Sequence, residues 1–211
     1  MRAPLNAATD RLDDDDRRAP DRTRALQDRE EQAWIARIRA GDSAAFEAMF
    51  HAYFEPLWAF LVGYVEVPEI AEELTQDILC RIWEERARWT VRDSLRSYLY
   101  GAARNKAMGY LRHRQVVRQW QVRAVQEPRT AGIGVGPAAT DDRLRSRELA
   151  AAFAAAVARL PERRRLAYTL QWQHGLSLAE IARTMGVTVK CVELQLAAAS
   201  KTLSKELAHF F

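Results

Sequence analysis

Basic and aromatic residues alternate over one stretch of the chain, SLRSYLYGAARNKAMGYLRHR, residues 94–114. The wider range 92–123 holds eight basic residues and one acidic residue. Basic side chains neutralise phosphates, and aromatic rings stack with unpaired bases at about 1–3 kcal/mol per base. The combination favours single-stranded or opened DNA over an intact duplex. The alternative is a solvated basic face with Tyr98 and Tyr110 packed in the core.

A second stretch, LSLAEIARTMGVTVKCVELQLAAASK, residues 176–201, has the outline of a helix-turn-helix motif. Ser177 and Glu180 predict a capping box at the start of its first helix. Gly186 is the residue type that ends a helix at least cost, and Thr188 predicts the cap of the second helix. Two capped helices joined by so short a turn are typical of a DNA reader. A helical hairpin in an ordinary bundle is the alternative.

Acidic residues concentrate in residues 66–86, which hold seven acids and two arginines. Pro68 predicts the start of a helix there. The apolar residues repeat at helical spacing and predict a buried stripe of Ile70, Leu74, Ile78 and Ile82. The acids then lie on the outer side of the helix. Such acids usually form a solvated face, and the alternative is a docking surface for a basic partner.

The composition excludes several classes of protein. The net charge is +4, and no apolar run approaches the length of a membrane span. The N-terminus lacks the apolar core of a secretory signal, and the two cysteines lie far apart in sequence, so we expect a cytoplasmic protein. The four histidines show no metal-ligand spacing, and there is no glycine-rich phosphate loop or Ser/His/Asp arrangement. We therefore expect no metal, no cofactor and no enzymatic activity.

The chain shows helical periodicity and no β alternation, which predicts an all-α protein of two small helical domains joined by a flexible linker. Dense charge predicts a disordered tail over residues 1–32. The first helical domain is expected over residues 33–114. Residues 115–143 contain EPRTAGIGVGPAAT and predict the linker, and residues 144–211 form the helix-turn-helix domain.

Taken together, three motifs in this order resemble a bacterial sigma factor. They are AEELTQDILCRIWEER, SLRSYLYGAARNKAMGYLRHR and LPERRRLAYTLQWQHGLSLAEIARTMGVTVKCVE. The chain is similar to the short extracytoplasmic-function (ECF) group of the sigma-70 family over about residues 33–207. TVKCVE also looks like the V-K-x-V-E version found in the iron-uptake-regulator-like part of that group.

The resemblance implies a non-enzymatic factor that lends promoter specificity to core RNA polymerase. It implies contacts with the β′ clamp and β flap of polymerase, with promoter DNA and with an anti-sigma factor. It also implies that the linker threads toward the RNA exit path.

The resemblance and the charge pattern assign residues to three surfaces. Those expected to bind the polymerase clamp are Glu73, Leu74, Gln76, Asp77, Arg81 and Trp83. Those expected to open and read the −10 element are Arg96, Tyr100, Arg104, Asn105, Lys106, Arg112 and Arg114. Those expected at the −35 element, phosphate contacts included, are Arg164, Arg183, Thr188, Lys190, Cys191, Glu193, Leu194, Gln195 and Lys201.

The sequence departs from the family at the reading helix, where many members carry basic residues at the positions of Glu193, Gln195, Ala198 and Ser200. Glu193 can accept a hydrogen bond from cytosine and Gln195 can pair with adenine in the major groove. A weakly basic helix suffices when polymerase supplies most of the affinity. The other functions compatible with the sequence are a helical interaction module and a conventional helix-turn-helix repressor.

Overall fold

The computed structural model describes residues 26–92, 94–122 and 141–208. These ranges contain eight helices and no strand, which confirms the all-α prediction. The helices are α1 (26–39), α2 (Ser43–Val65), α3 (Pro68–Glu84), α4 (Leu95–Val122), α5 (Asp141–Arg159), α6 (Glu162–Trp172), α7 (Leu178–Met185) and α8 (Val189–Leu207). The chain divides into two units, Met1–Leu99 and Tyr100–Phe211, with the boundary inside α4.

The helix limits differ from the predicted segment limits. Helix α1 includes residues 26–32, which the charge pattern assigns to the tail. The reason is a tertiary contact: Glu31 is buried and accepts a hydrogen bond from the Tyr53 hydroxyl of α2. Helices α4 and α5 extend into both ends of the predicted linker. The rest of the tail and of the linker lies outside the described residues.

In the first unit, short connections join α1 to α2 and α2 to α3. Asp42 caps α2 by accepting hydrogen bonds from the amides of Ala44 and Ala45, at 3.0 and 3.2 Å. Its bond to the Arg37 side chain, together with these amides, holds the pKa of Asp42 below its ordinary value. At the other end, Glu66 adopts a left-handed conformation, with φ 61°, and ends α2. Because only two residues separate α2 from α3, the two helices pack as neighbours.

The buried side of α3 is rotated from the predicted stripe. Its buried residues are Ala71, Thr75, Ile78, Leu79 and Ile82. Thr75 is tolerated there because its hydroxyl donates to the Ala71 carbonyl at 2.7 Å, so no polar group is left unsatisfied. Leu74 is consequently only half-buried and borders the acidic side of the helix.

The second unit contains the predicted helix-turn-helix. Both hydrogen bonds of the Ser177–Glu180 capping box are present, at 3.3 and 2.8 Å, which confirms that prediction. Gly186 ends α7 with φ 68°, and Thr188 caps α8 by accepting from the Cys191 amide at 3.3 Å. One core cluster joins α5 to α8 and contains Ala156, Val157, Leu160, Ala199 and Leu203. Because α8 also packs against α6 and α7, its orientation is set by three neighbours.

Gly109 and Gly186 differ in backbone conformation but not in the space around them. A Cβ would meet nothing within 4 Å at either position, and Gly186 alone of the two has a positive φ, 68°. We expect Gly109→Ala to raise the free energy of unfolding by about 0.5–1 kcal/mol, because alanine loses less entropy in a helix. Gly186→Ala should lower it by about 1–2 kcal/mol, because an L residue is strained there. Denaturant titration measures both changes, and changes of the same sign would contradict this account.

Candidate polymerase and nucleic-acid interfaces

The acidic face of α3 is defined here as its exposed acids Glu69, Glu72, Glu73, Asp77 and Glu84. Of the residues predicted to bind the clamp, four are also exposed: Glu73, Gln76, Asp77 and Arg81. Gln76 donates a hydrogen bond to Glu72 at 3.2 Å, and Arg81 pairs with Glu85 at 3.0 Å, so both polar side chains are held along the helix. The face offers mainly carboxylates to a partner, with half-buried Leu74 at its border.

Trp83 is held at the end of this helix by two neighbours that the sequence prediction does not include. The ring of Phe46 lies 5.1 Å from the Trp83 ring, centroid to centroid. The Arg86 guanidinium lies over the Trp83 ring, 4.3 Å from its centroid. The same guanidinium donates a hydrogen bond to the Trp83 carbonyl at 2.7 Å. A cation over an indole is a stabilising contact. Trp83 is therefore a fixed, half-buried aromatic group beside the acidic face.

The residues predicted to act at the −10 element do not share one side of α4. Asn105 and Arg112 are exposed and stand seven residues apart, roughly two turns, so they point the same way. Tyr98 lies another seven residues before Asn105 and is also exposed. We call Tyr98, Asn105 and Arg112 the opening face of α4. It combines an aromatic ring, an amide and a cation along one side of a helix.

Tyr100, which is predicted to act at the −10 element, is buried. Tyr98, for which the sequence leaves a core position open, is exposed. Tyr98 is 39% exposed, whereas Tyr100 is 2% exposed and offers no ring face to a base. The Tyr98 ring stands 5.9 Å from the ring of buried Trp89 in an edge-on arrangement. The Trp89 ring therefore fixes the orientation of Tyr98. Helical spacing is the signal for this assignment, because Tyr100 falls on the stripe of buried Ala103 and Ala107.

The remaining basic residues of this set lie around the helix away from the opening face. Arg96 is half-buried, roughly 160° from Tyr98, in a cleft lined by Glu30, Glu31 and Trp34. Arg104 is half-buried, and its Nε has no hydrogen-bond partner among the described residues. Lys106 and Arg114 are half-buried as well. These four charges can contribute a positive potential, but they do not form one contact surface with Asn105.

The outward face of α8 is defined by five of its exposed residues, Lys190, Glu193, Leu194, Ala197 and Lys201. The Lys190 ammonium lies 3.1 Å from the Glu193 carboxylate, so these two charges partly cancel. Leu194 is 61% exposed and stands near the middle of this face.

The other residues predicted at the −35 element lie beside this face. Thr188 is exposed but occupied as the cap, whereas Cys191 and Gln195 are half-buried. Arg183 of α7 is exposed and Arg164 of α6 is half-buried. The reading helix is therefore more apolar at its centre than the sequence prediction assumes.

Two further features are absent from the described ranges. No three His, Cys, Asp or Glu side chains there are grouped as a metal site requires. In the same part of the chain, no helix is both long and apolar enough to cross a membrane.

Two segments of the chain match known protein families. The family model for sigma-70 region 2 matches residues 49–116, and the model for sigma-70 region 4 matches residues 150–203. The ECF RNA polymerase sigma factor RpoE of Cereibacter sphaeroides is 24% identical over 183 residues, which cover 83% of this chain and 95% of that protein. The chain belongs to the ECF group of the sigma-70 family.

Two solved structures share the fold of this sigma factor. One is CnrH in complex with the cytosolic domain of CnrY, with a TM-score of 0.60 and 18% identity, covering 85% of this chain and 98% of that one. The other is the sigma factor RpoE in complex with the anti-sigma factor NepR from Bartonella quintana. Its TM-score is 0.58 at 21% identity, and the match covers 77% of this chain and 96% of that one.

Membership establishes the general function. This protein is a sigma factor for transcription initiation, and the two matched regions of the family bind core RNA polymerase and promoter DNA. The sigma-70 family is not a class of enzymes. Because regions 2 and 4 are both present in order, the interaction module and the repressor are not favoured.

Proposed function

We propose that this sigma factor docks on the polymerase β′ clamp through the acidic face of α3, opens the −10 element with the opening face of α4, and reads the −35 element with α8. The main support is the placement of the first two surfaces. Both are exposed, and both lie within the segment that matches sigma-70 region 2. Carboxylates suit a protein partner of opposite charge, whereas an aromatic ring with a cation suits an unpaired DNA strand.

The division of labour along the chain is part of the proposal. Residues 33–114 form the clamp-binding and melting domain, and residues 144–211 form the domain that reads the −35 element. The matched segments, 49–116 and 150–203, fall in these two parts of the chain, although the first begins well after residue 33. Residues 115–143 connect the two domains and thread toward the RNA exit path, near the β flap.

Regulation by an anti-sigma factor also belongs to the proposal. The two similar structures hold a sigma factor bound to NepR and CnrH bound to the cytosolic domain of CnrY, which supports a protein inhibitor here. We place the protein in the cytoplasm, where polymerase and DNA are found. Bond formation is left to polymerase.

Separate titrations with core polymerase and promoter DNA test the proposed function. The expected result is tight binding to core polymerase, weak binding to duplex DNA alone, and run-off transcripts only when all three are combined. Tight DNA binding without polymerase would identify a repressor instead. Polymerase binding with no promoter-specific transcript from a pooled promoter library would identify an interaction module.

A further inference from the structure

The outward face of α8 has an apolar centre. The described residues include five large hydrophobic side chains that are exposed, and two of them, Val189 and Leu194, are on this helix. Leu194 is 61% exposed, and Ala197, also exposed, follows it by three residues on the same side. Residues at this spacing are neighbours on a helix surface. Leu194 and Ala197 therefore form a small apolar strip.

The charged residues beside this strip do not favour recognition of DNA bases by charged side chains. The Glu193 carboxylate lies 3.1 Å from the Lys190 ammonium, which partly offsets the one negative charge of the outward face. Gln195, which can read adenine, is half-buried at the side of the helix. Between the exposed Lys190 and Lys201, the centre of the face is thus aliphatic.

The base edge that matches an aliphatic side chain in the major groove is the 5-methyl group of thymine. The first turns of the second helix of a helix-turn-helix meet the base edges. Leu194 lies in the second turn of α8, and the Thr188 cap with the Gly186 turn fixes where that helix begins. Exposed Leu194 contributes no burial energy in the free protein, and contact with a methyl group would bury part of its apolar surface.

We propose that Leu194, supported by Ala197, selects thymine in the −35 element through contact with its 5-methyl group. This inference rests on the proposed function, because it assumes that α8 enters the major groove. It gives a sigma factor with a weakly basic reading helix a specificity determinant that does not depend on charge. The contact should therefore be little affected by salt, unlike the phosphate contact expected of Arg164.

The test removes the methyl group and the leucine separately. A −35 library transcribed with core polymerase first identifies the upstream sequence that the parent prefers. Each thymine of that sequence is then replaced by deoxyuridine, which lacks only the methyl group. We expect transcription by the parent to fall about fourfold at the contacted thymine. Leu194→Ala should transcribe the thymine and deoxyuridine templates equally well.

Arg164→Ala is the matched control, because it should weaken transcription from both templates while keeping the fourfold difference between them. Two results would overturn the inference while leaving the proposed function intact: a parent that does not distinguish thymine from deoxyuridine, or a Leu194→Ala variant that still does. A preferred sequence without thymine would overturn it as well. A parent that selects no upstream sequence at all would instead refute the proposed function.

Discussion

Replacing Asp77 by lysine is expected to weaken binding to core polymerase by about 30-fold or more. Asp77 is an exposed member of the acidic face, one turn beyond Glu73 on α3. If this face meets a basic surface of the clamp, charge reversal removes an attractive contact and adds a repulsive one. Loss of one partner from a charge pair that becomes buried and hydrogen-bonded at an interface costs about 2–5 kcal/mol. A cost of about 2 kcal/mol already corresponds to a factor of about 30.

The fold should survive this change, because exposed charges contribute little to stability. Glu55→Lys on α2 is the matched control, since Glu55 is exposed and the variant has the same net charge. Fluorescence anisotropy of labelled protein titrated with core polymerase measures both affinities. Equal affinity of the Asp77 variant and the parent would show that the acidic face is only a solvated surface.

The second large effect is expected on α4, where combining Asn105→Ala with Arg112→Ala should abolish promoter opening. Both side chains lie on the opening face, and neither is buried, so their removal leaves the helix intact. An amide can read a base edge and a guanidinium can hold a phosphate of the separated strand. Losses of about 1–3 kcal/mol for each contact together slow opening by at least about 30-fold.

Permanganate reactivity of unpaired thymines measures opening, and mobility shift at low temperature measures the closed complex. The closed complex should form normally, because we assign its contacts to α3 and α8. His113→Ala is the control, as His113 is exposed on the same helix about 100° around from Arg112. Tyr98→Ala should also reduce opening, because it removes the stacking energy of one base, about 1–3 kcal/mol. Tyr98→Phe keeps the ring and should not reduce opening. Normal permanganate reactivity in the double variant would remove α4 from the melting step.

Local signals in the sequence were sufficient for the starts of α3, α7 and α8 and for the end of α7. The Ser177–Glu180 box, Gly186, Thr188 and Pro68 each act within one turn of chain, so their effect does not depend on the rest of the fold. The same holds for residues at seven-residue spacing, such as Asn105 and Arg112. The three motifs and their order also sufficed to identify the family and its general function.

Tertiary contacts decided what the local pattern left open. Helix α1 extends back through Glu31 because that carboxylate meets Tyr53, a residue 22 positions away. Similarly, Thr75 rather than Leu74 lies on the buried side of α3. The exposure of Leu194 likewise depends on which side of α8 finds neighbours. Such contacts join residues far apart in sequence, so the residue pattern of a single helix does not contain them.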